Sequence, residues 1–204
     1  MGINAVIKER HLLTHPFYHR WQLGKVSMDT LQEYAKQYYH YESALPGFLS
    51  SAMDHMEEGP ARDAVAEVLA DESAHPTAHT TLWLQFAAGL GVEEAEITGS
   101  VASPRTVNLV ETYTSLCARG SEEALGALYA YEAQIPDVAK AKSDGLRRFY
   151  GVTDPKALEF FDLHATLDVA HARALKSALR DSELSRESAH LAITAWWGML
   201  DQFH

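Results

Sequence analysis

The stretch FFDLHATLDVAHARAL, residues 160–175, places three polar side chains inside an apolar helical pattern. His164, Asp168 and His171 follow one another at spacings of four and three residues. Because each residue of an α-helix advances by about 100°, these three side chains share an arc of about 60°. The segment therefore predicts a helix whose inner face carries two imidazoles and a carboxylate.

Two interpretations of this face are open. One is a histidine pair that is hydrogen-bonded within the core, because buried polar groups almost always have partners. The other is a metal site, since a buried aspartate costs several kcal/mol unless it is paired or bound to a metal ion. Three ligand-type residues on one stripe favour the metal site.

Helical periodicity covers nearly the whole chain, and we find no strand pattern, repeat or low-complexity segment. Prolines, glycines and capping residues divide the chain into about seven helices. The first predicted helix runs from Asn4 to Thr14, and the second starts at Ser27 and bends at Pro46 and Gly47. The third runs from Pro60 to Gly89 or Gly91, with a kink at Pro76. The last four start at Ser103, Ser121, Asp154 and Ser185, and the first two of these end near Gly120 and Tyr150. These elements predict a single all-α domain over residues 1–204.

Composition narrows the classes of function. The 204 residues carry a formal net charge of −11, which argues against a nucleic-acid partner and against an anionic membrane surface. Cys117 is the single cysteine, so no internal disulfide can form, and a reducing, cytoplasmic setting is expected. The sequence has no signal peptide pattern and no apolar run long enough for a membrane span. Eleven histidines are a first indication of metal or proton chemistry.

The helix that begins at Pro60 supplies further ligand-type residues. Glu72 and His79 are seven residues apart, which is two helical turns, so they share a face. His75 also follows Glu72 at a ligand-like spacing of three. It directly precedes Pro76, however, and a residue before proline is biased away from helix. We therefore assign Glu72 and His79.

The helix that begins at Ser121 places Glu132 among the apolar residues Leu128, Tyr129 and Tyr131. A carboxylate in such surroundings indicates a ligand, although a partly exposed glutamate near the kink at Pro136 is the alternative.

Three helices thus carry three carboxylates and three imidazoles. Carboxylate and imidazole ligands suit iron or manganese, and helical bundles build two-metal sites from such inward-facing side chains. Zinc more often uses fewer ligands or a thiolate. The predicted site holds two iron ions or one manganese and one iron, and its ligands are Glu72, His79, Glu132, His164, Asp168 and His171.

The pattern Glu-x6-His, then Glu, then His-x3-Asp-x2-His resembles the haem-oxygenase-like di-metal oxidases. Their relatives include the thiaminase-like TenA proteins and pyrroloquinoline-quinone synthase. Within this group the chain is most similar to proteins related to the Chlamydia protein associating with death domains. The resemblance lies in HPFYHRWQLG, LQEYAKQYYHYESALPGFLS, the ligand helices and YEAQIPDVAKAKSDGLRRFYG.

The resemblance implies a seven-helix bundle, a homodimer, and an O₂-dependent synthesis of p-aminobenzoate for folate with an external reductant. Tyr18 corresponds to a tyrosine that the protein sacrifices as the carbon source. Lys142 corresponds to a nitrogen donor, and Tyr131 to a tyrosine near the metals. Phe160 departs from the pattern, because some members carry a tyrosine there that is a candidate radical relay.

The residues themselves leave other interpretations open. Tyr18 also fits an ordinary packed aromatic whose hydroxyl is hydrogen-bonded. Lys142 follows Glu132 by ten residues and lies about 80° from it on the helix, so a solvated lysine is its simplest interpretation. A catalytic lysine instead needs desolvation or a nearby cation to lower its pKa.

Other functions also remain open. An oxygenase acting on an external fatty or amino acid would need a pocket, and residues Tyr34, Tyr38, Tyr41 and Phe48 would line it or form plain core. A TenA-like enzyme would need a nucleophilic cysteine, which Cys117 in TSLCARG does not resemble. A binding module for a death domain would use the surface, and the helix faces show no dedicated interaction motif.

Overall fold

The computed structural model describes residues 2–74 and 77–203, and within these ranges the chain forms eleven α-helices, two 3₁₀ turns and no strand. The helices are α1 Ile3–Glu9, α2 Pro16–Gln22, α3 Met28–Asp54, α4 Pro60–Ala74, α5 His79–Gly89, α6 Glu94–Thr98, α7 Pro104–Cys117, α8 Ser121–Glu132, α9 Ile135–Phe149, α10 Pro155–Ala178 and α11 Glu183–Leu200. The all-α prediction is confirmed, and the single domain over residues 1–204 stays a prediction.

Helix starts follow the capping chemistry of the sequence. Ser27 caps α3 by accepting from the backbone N–H of Thr30, and Ser103 caps α7 in the same way. Asp154 caps α10, whose first residue is a proline. The predicted cap at Ser185 is wrong. Ser182 caps α11 instead, and Ser185 is the third helical residue, whose hydroxyl oxygen accepts a hydrogen bond from the Ser182 backbone N–H.

Extra breaks raise the number of helices above the seven predicted. The first predicted helix stops at Glu9 and is followed by a 3₁₀ turn and by α2. The predicted helix from Ser121 is interrupted between α8 and α9, where Ile135 starts the new helix and Pro136 is its second residue. The α3 helix, by contrast, continues past Pro46 to Asp54. The predicted kink at Pro76 and the rejected ligand His75 lie outside the described residues.

The α10 helix is the element that organises the ligand-bearing part of the bundle. It packs against α4, α5, α8 and α9, and α3 packs across α4, α5 and α7. The ends of α4 and α8 and the start of α5 therefore face the same stretch of α10. The prediction of one helix through Glu72 and His79 is wrong, since α4 carries the first and α5 the second. The topology therefore brings four ligand-bearing helices together.

A close crossing holds α8 against α11. A Cβ atom added at Gly126 would lie 2.3 Å from the carbonyl oxygen of Ser185, so only glycine allows the two helices to approach this closely. Large aromatic side chains, including Trp21, Trp83 and Trp196, are buried in the interior of the bundle. Among the described residues no helix is long and apolar enough to cross a membrane.

Candidate metal centre

The six predicted ligands form two buried groups of three. Glu72, His79 and His164 make up the first triad, and Glu132, Asp168 and His171 make up the second. Within each triad, one ligand atom from each side chain lies within 4.8 Å of the other two. All six side chains are at most 5% exposed. The fold thus brings together every residue that the sequence singled out as a ligand.

The first triad joins the end of α4, the first residue of α5 and the middle of α10. The Glu72 carboxylate lies 2.8 Å from His79 Nδ1 and 3.9 Å from His164 Nε2. His164 Nδ1 lies 2.6 Å from the carbonyl oxygen of Phe160, one turn earlier on α10. Since Nδ1 of His164 donates its proton to the backbone, Nε2 carries the lone pair of the neutral ring, and this lone pair faces Glu72.

The second triad is formed by the last residue of α8 and two residues of α10. His171 Nδ1 lies 3.8 Å from Glu132 Oε2 and 3.7 Å from Asp168 Oδ1. The other ring nitrogen of His171, Nε2, lies 2.8 Å from Asp71 Oδ2. Asp71 therefore orients the His171 ring so that Nδ1 points at the two carboxylates.

The charges in this cluster perturb one another strongly. Burial, followed by repulsion from Glu132, raises the pKa values of Glu72 and Asp168 well above their usual range. Burial also lowers the pKa of His164, and the neighbouring His79 lowers it further. Burial lowers the pKa of His171 as well, but Glu132 and Asp71 outweigh it and bring the value to about 9. Clustered acids of this kind call for positive charge between them.

Unpartnered polar atoms mark the same place. Both ring nitrogens of His79, both carboxylate oxygens of Asp168, Glu132 Oε2 and His171 Nδ1 are buried and lack a hydrogen-bond partner. The 2.8 Å contact between His79 and Glu72 has ion-pair distance but not hydrogen-bond geometry. Buried polar groups are rarely left in this state unless an ion or water satisfies them.

The donor set fits two metal ions. Ligand atoms about 2.0–2.2 Å from one ion lie at most about 4.4 Å apart, so each triad needs only a small contraction to bind. Three imidazoles and three carboxylates, with no thiolate, are ligands that iron and manganese accept. Such ions supply the means of reducing O₂.

The candidate carbon source, Tyr18, is buried on α2. Its hydroxyl lies 3.2 Å from the Tyr34 hydroxyl, and burial raises its pKa above the usual value. The packed, hydrogen-bonded aromatic that the sequence allowed is therefore what the structure contains. This placement leaves the role of Tyr18 as a sacrificed residue a prediction.

The Lys142 side chain lies inside the bundle, which overturns its interpretation as a solvated lysine. It is 3% exposed, and its Nζ lies 4.6–5.9 Å from the centres of five aromatic rings, which belong to Tyr18, Tyr34, Tyr38, Trp83 and Phe161. Burial lowers the pKa of Lys142 to about 7, against a weaker opposing effect of Glu42. Much of this amine is therefore neutral near pH 7, as a nucleophile requires.

Tyr131 connects the second triad to the aromatic core. It directly precedes Glu132, its hydroxyl is hydrogen-bonded to that of Tyr38, and its ring stacks on Trp196 at 5.1 Å. Phe160, at the position where some family members carry a tyrosine, stacks on the His164 ring with a distance of 4.1 Å between the ring centres. A phenyl ring is enough for that packing, so the first triad keeps its support without a phenol at this position.

Sequence reasoning missed two acidic residues, Asp71 and Glu42. Asp71 adjoins a predicted ligand, but its link to His171 joins positions 100 residues apart and depends on tertiary packing. Glu42 is 2% exposed, and its Oε1 atom is buried without a hydrogen-bond partner. Its position four residues after Tyr38, on an aromatic helix face, was the available signal.

The structure gives less support to TenA-like chemistry and to a pocket for an external substrate. Cys117 is buried on α7 outside both triads, and burial raises the pKa of its thiol to about 12. A thiol with that pKa is a poor nucleophile, which argues against TenA-like chemistry. The side chains considered as pocket lining, Tyr34, Tyr38, Tyr41 and Phe48, are at most 4% exposed and pack on other aromatic rings.

Comparison with known proteins identifies the family of this chain. Residues 32–202 match the profile of a haem-oxygenase-like family described as iron-containing redox enzymes. A 4-aminobenzoate synthase from Nitrosomonas europaea is 36% identical over 99% of this chain and 89% of its own length. One from Chlamydia muridarum is 35% identical over 98% and 88% of the two chains.

A solved structure of a CADD-like protein of unknown function from Nostoc punctiforme superposes with a TM-score of 0.76 at 22% identity. It covers 98% of this chain and 96% of that chain, so the two share the fold. These matches confirm the resemblance inferred from the ligand pattern. The chain belongs to the haem-oxygenase-like family of iron-containing redox enzymes.

Proposed function

We propose that this chain is a di-metal, O₂-dependent oxidase that makes 4-aminobenzoate, for folate synthesis, from the side chain of its own Tyr18. One observation carries the proposal. The amine of Lys142 lies 5.5 Å from the centre of the Tyr18 ring, and both groups are sealed from solvent. The aromatic ring and the nitrogen of the product are thus already neighbours. Relatives named 4-aminobenzoate synthase at 35–36% identity support the same activity.

The chemistry assigns a part to each group. The Cα–Cβ bond of Tyr18 breaks, and O₂ oxidises Cβ to the carboxyl carbon. Nζ of Lys142 bonds to the ring carbon that carried the phenol oxygen, and this oxygen leaves as water. Oxidation of the resulting aryl amine by O₂ to an imine, followed by hydrolysis, breaks the Nζ–Cε bond and leaves an aldehyde on the lysine side chain. O₂ is the oxidant, and an external reductant supplies electrons. Two iron ions, or a manganese–iron pair, bound at the two triads would reduce O₂.

The surrounding residues prepare this reaction. Burial among aromatic rings excludes water from Lys142 and lowers its pKa to about 7, so that a large share of the amine is unprotonated at pH 7. The Tyr34 hydroxyl fixes the Tyr18 hydroxyl, and Tyr38 links that pair to Tyr131, next to Glu132. A contiguous path of phenols therefore runs from Tyr18 to the second triad. This path offers a route for oxidation that does not use position 160.

The proposal is tested by intact mass before and after addition of Fe(II), or Mn(II) with Fe(II), reductant and air. We expect a mass loss that maps to Tyr18, with at most one 4-aminobenzoate released for each chain. Tyr18→Phe should release none and still bind both metals, while Tyr39→Phe, on a partly buried tyrosine of α3, should behave as the wild type. Undiminished product from Tyr18→Phe would refute the proposal.

The same experiment separates the alternatives. An unchanged chain that still consumes O₂ would indicate an external substrate. Product yield with iron alone, compared with manganese plus iron, identifies the working pair. The homodimer and the cytoplasmic location stay predictions, and sedimentation of the purified chain tests the first.

A further inference from the structure

The Trp21 side chain joins the two helices that carry the proposed reactants. Tyr18 lies on α2 and Lys142 lies on α9, and α2 is only seven residues long. A helix of this length is unstable by itself, so its position depends on packing against other elements. The separation between the Tyr18 ring and the Lys142 amine therefore depends on how α2 docks on α9.

Trp21 forms a specific bond at this contact. Its Nε1 atom donates to the carbonyl oxygen of Lys142 over 3.2 Å, and its ring is fully buried. A carbonyl oxygen has two lone pairs, so it can accept the indole N–H besides a helical N–H. Because Trp21 follows Tyr18 by three residues, the two side chains are neighbours on α2, and their ring centres are 6.5 Å apart. The bond thus links the backbone of one reactant to the helix that carries the other.

Gly145 allows the close approach of α2 and α9 at this bond. A Cβ atom added at Gly145 would lie 2.6 Å from Cδ1 and 2.7 Å from Nε1 of Trp21. Gly145 follows Lys142 by three residues, so it lies beside the lysine on α9. The indole has little room to move aside, because Tyr34 and Tyr150 pack edge-on to it at 5.5 and 6.3 Å between ring centres. Any side chain at position 145 would therefore push the indole N–H away from its acceptor.

We propose that Trp21 is a positioning residue that, with Gly145, sets the distance of 5.5 Å between the Lys142 amine and the centre of the Tyr18 ring. The inference rests on the proposed function, because it concerns the transfer of nitrogen between these two groups. A misplacement of about 1 Å can slow a reaction between positioned groups by about 100-fold. The competing explanation is that Trp21 only stabilises the bundle, in which case its replacement lowers stability and leaves the products unchanged.

The test compares the acids that each protein releases after addition of Fe(II), or Mn(II) with Fe(II), reductant and air. Trp21→Phe keeps an aromatic ring but removes the N–H, and Gly145→Ala pushes the indole away from α9. Both should release at least about ten-fold less 4-aminobenzoate for each Tyr18 that is cleaved. A Tyr18 side chain that is cleaved without amine transfer keeps its phenol oxygen. Oxidation of its Cβ by O₂ then gives 4-hydroxybenzoate and leaves Lys142 intact.

Two control variants carry matched changes elsewhere in the bundle. Trp197→Phe removes another indole N–H that donates to a backbone carbonyl, that of Arg10, over 2.8 Å. Gly126→Ala introduces a similar clash between α8 and α11. Both controls should keep the wild-type ratio of the two acids, even where they lose stability. Circular dichroism and Mn(II) titration check that every variant folds and binds two ions.

A distance measurement supplies a second readout that needs no turnover. The nuclear Overhauser effect between the Tyr18 ring protons and the ε-methylene protons of Lys142 is measured in apo-protein with isotope-labelled lysine. It should be present in wild type and lose most of its intensity in Trp21→Phe and Gly145→Ala. This measurement decides the case in which a variant releases neither acid.

The outcomes are distinct. A shift from 4-aminobenzoate to 4-hydroxybenzoate in Trp21→Phe and Gly145→Ala, with both controls unchanged, supports the positioning role. A wild-type ratio of the acids, or a wild-type Overhauser effect, in these two variants would overturn it. Failure of both to fold would also overturn it, since Trp21 would then serve stability alone. If the wild type released no 4-aminobenzoate, the proposed function would fail, and the Overhauser effect would still test the positioning role by itself.

Discussion

Replacing Lys142 with methionine tests whether burial lowers the pKa of the Lys142 amine. Lysine has an ordinary pKa of 10.5, and burial lowers that of Lys142 to about 7. At about 1.4 kcal/mol for each tenfold change, this places a cost of about 5 kcal/mol on the protonated form in the folded protein. Attraction to the surrounding aromatic faces returns about 1–2 kcal/mol of that cost. The Lys142→Met variant should therefore be more stable than wild type by about 3–5 kcal/mol at pH 6.

The sign of the pH dependence follows from proton binding. Between pH 7 and about 10 the unfolded chain holds a proton on Lys142 that the folded chain has lost, so wild-type stability rises with pH relative to the variant. The advantage of Lys142→Met is complete below pH 7 and shrinks by about 1.4 kcal/mol per pH unit above it. Titrating groups that do not interact with Lys142 cancel in the difference between the two proteins, whereas Glu42 and His164, whose pKa values Lys142 lowers, contribute to it.

Urea unfolding of both apo-proteins at pH 6, 7, 8 and 9 measures this difference. The apo-protein is used because bound cations would add their own repulsion. Lys140→Met is the control, since Lys140 is exposed on the same helix and forms a surface ion pair with Asp144. It should change the unfolding free energy by less than about 0.5 kcal/mol at every pH. A difference between wild type and Lys142→Met that stays constant from pH 6 to 9 would refute a lysine pKa near 7.

Three further predictions concern the metal centre and the bundle. Asp71→Asn should weaken metal binding by about 10–100-fold, because it removes the carboxylate that orients His171; unchanged Mn(II) affinity in a titration would contradict this. Mn(II) should raise the melting temperature of the apo-protein and a chelator should reverse the rise, because the ions relieve repulsion among buried carboxylates; calorimetry would expose a failure of either. Gly126→Ala should lower the unfolding free energy by about 1–3 kcal/mol, because its Cβ would clash with Ser185. Gly198→Ala, on α11 in open space, is the control, and equal urea midpoints for the two variants would count against the clash.

Short-range sequence patterns predicted much of the fold. The caps at Ser27, Ser103 and Asp154 are local, since each side chain bonds to a backbone group two or three residues away. Breaks inside helical stretches were harder to predict from the sequence. Residues 133–134 interrupt a helix-compatible sequence, and there Gln134 accepts a hydrogen bond from the Leu12 backbone, 122 positions earlier. A bond over that separation has no local signature.

Lys142 shows where helical-wheel reasoning reaches its limit. The wheel places it about 80° from Glu132, assuming one straight helix through both residues. The chain instead ends α8 at Glu132 and starts α9 at Ile135. The new helix direction turns the lysine into the aromatic interior, which composition and spacing alone could not indicate.

The sequence by itself determined the helical class, most helix starts and the six ligand-type residues, because periodicity and capping are written in neighbouring positions. Tertiary structure alone decided that these six residues meet as two triads, that Asp71 supports His171, and that Lys142 and Glu42 are buried inside the bundle. These relations join residues on different helices, over separations that reach 100 positions. They depend on how helices pack, and packing is set by the fit of all the side chains together.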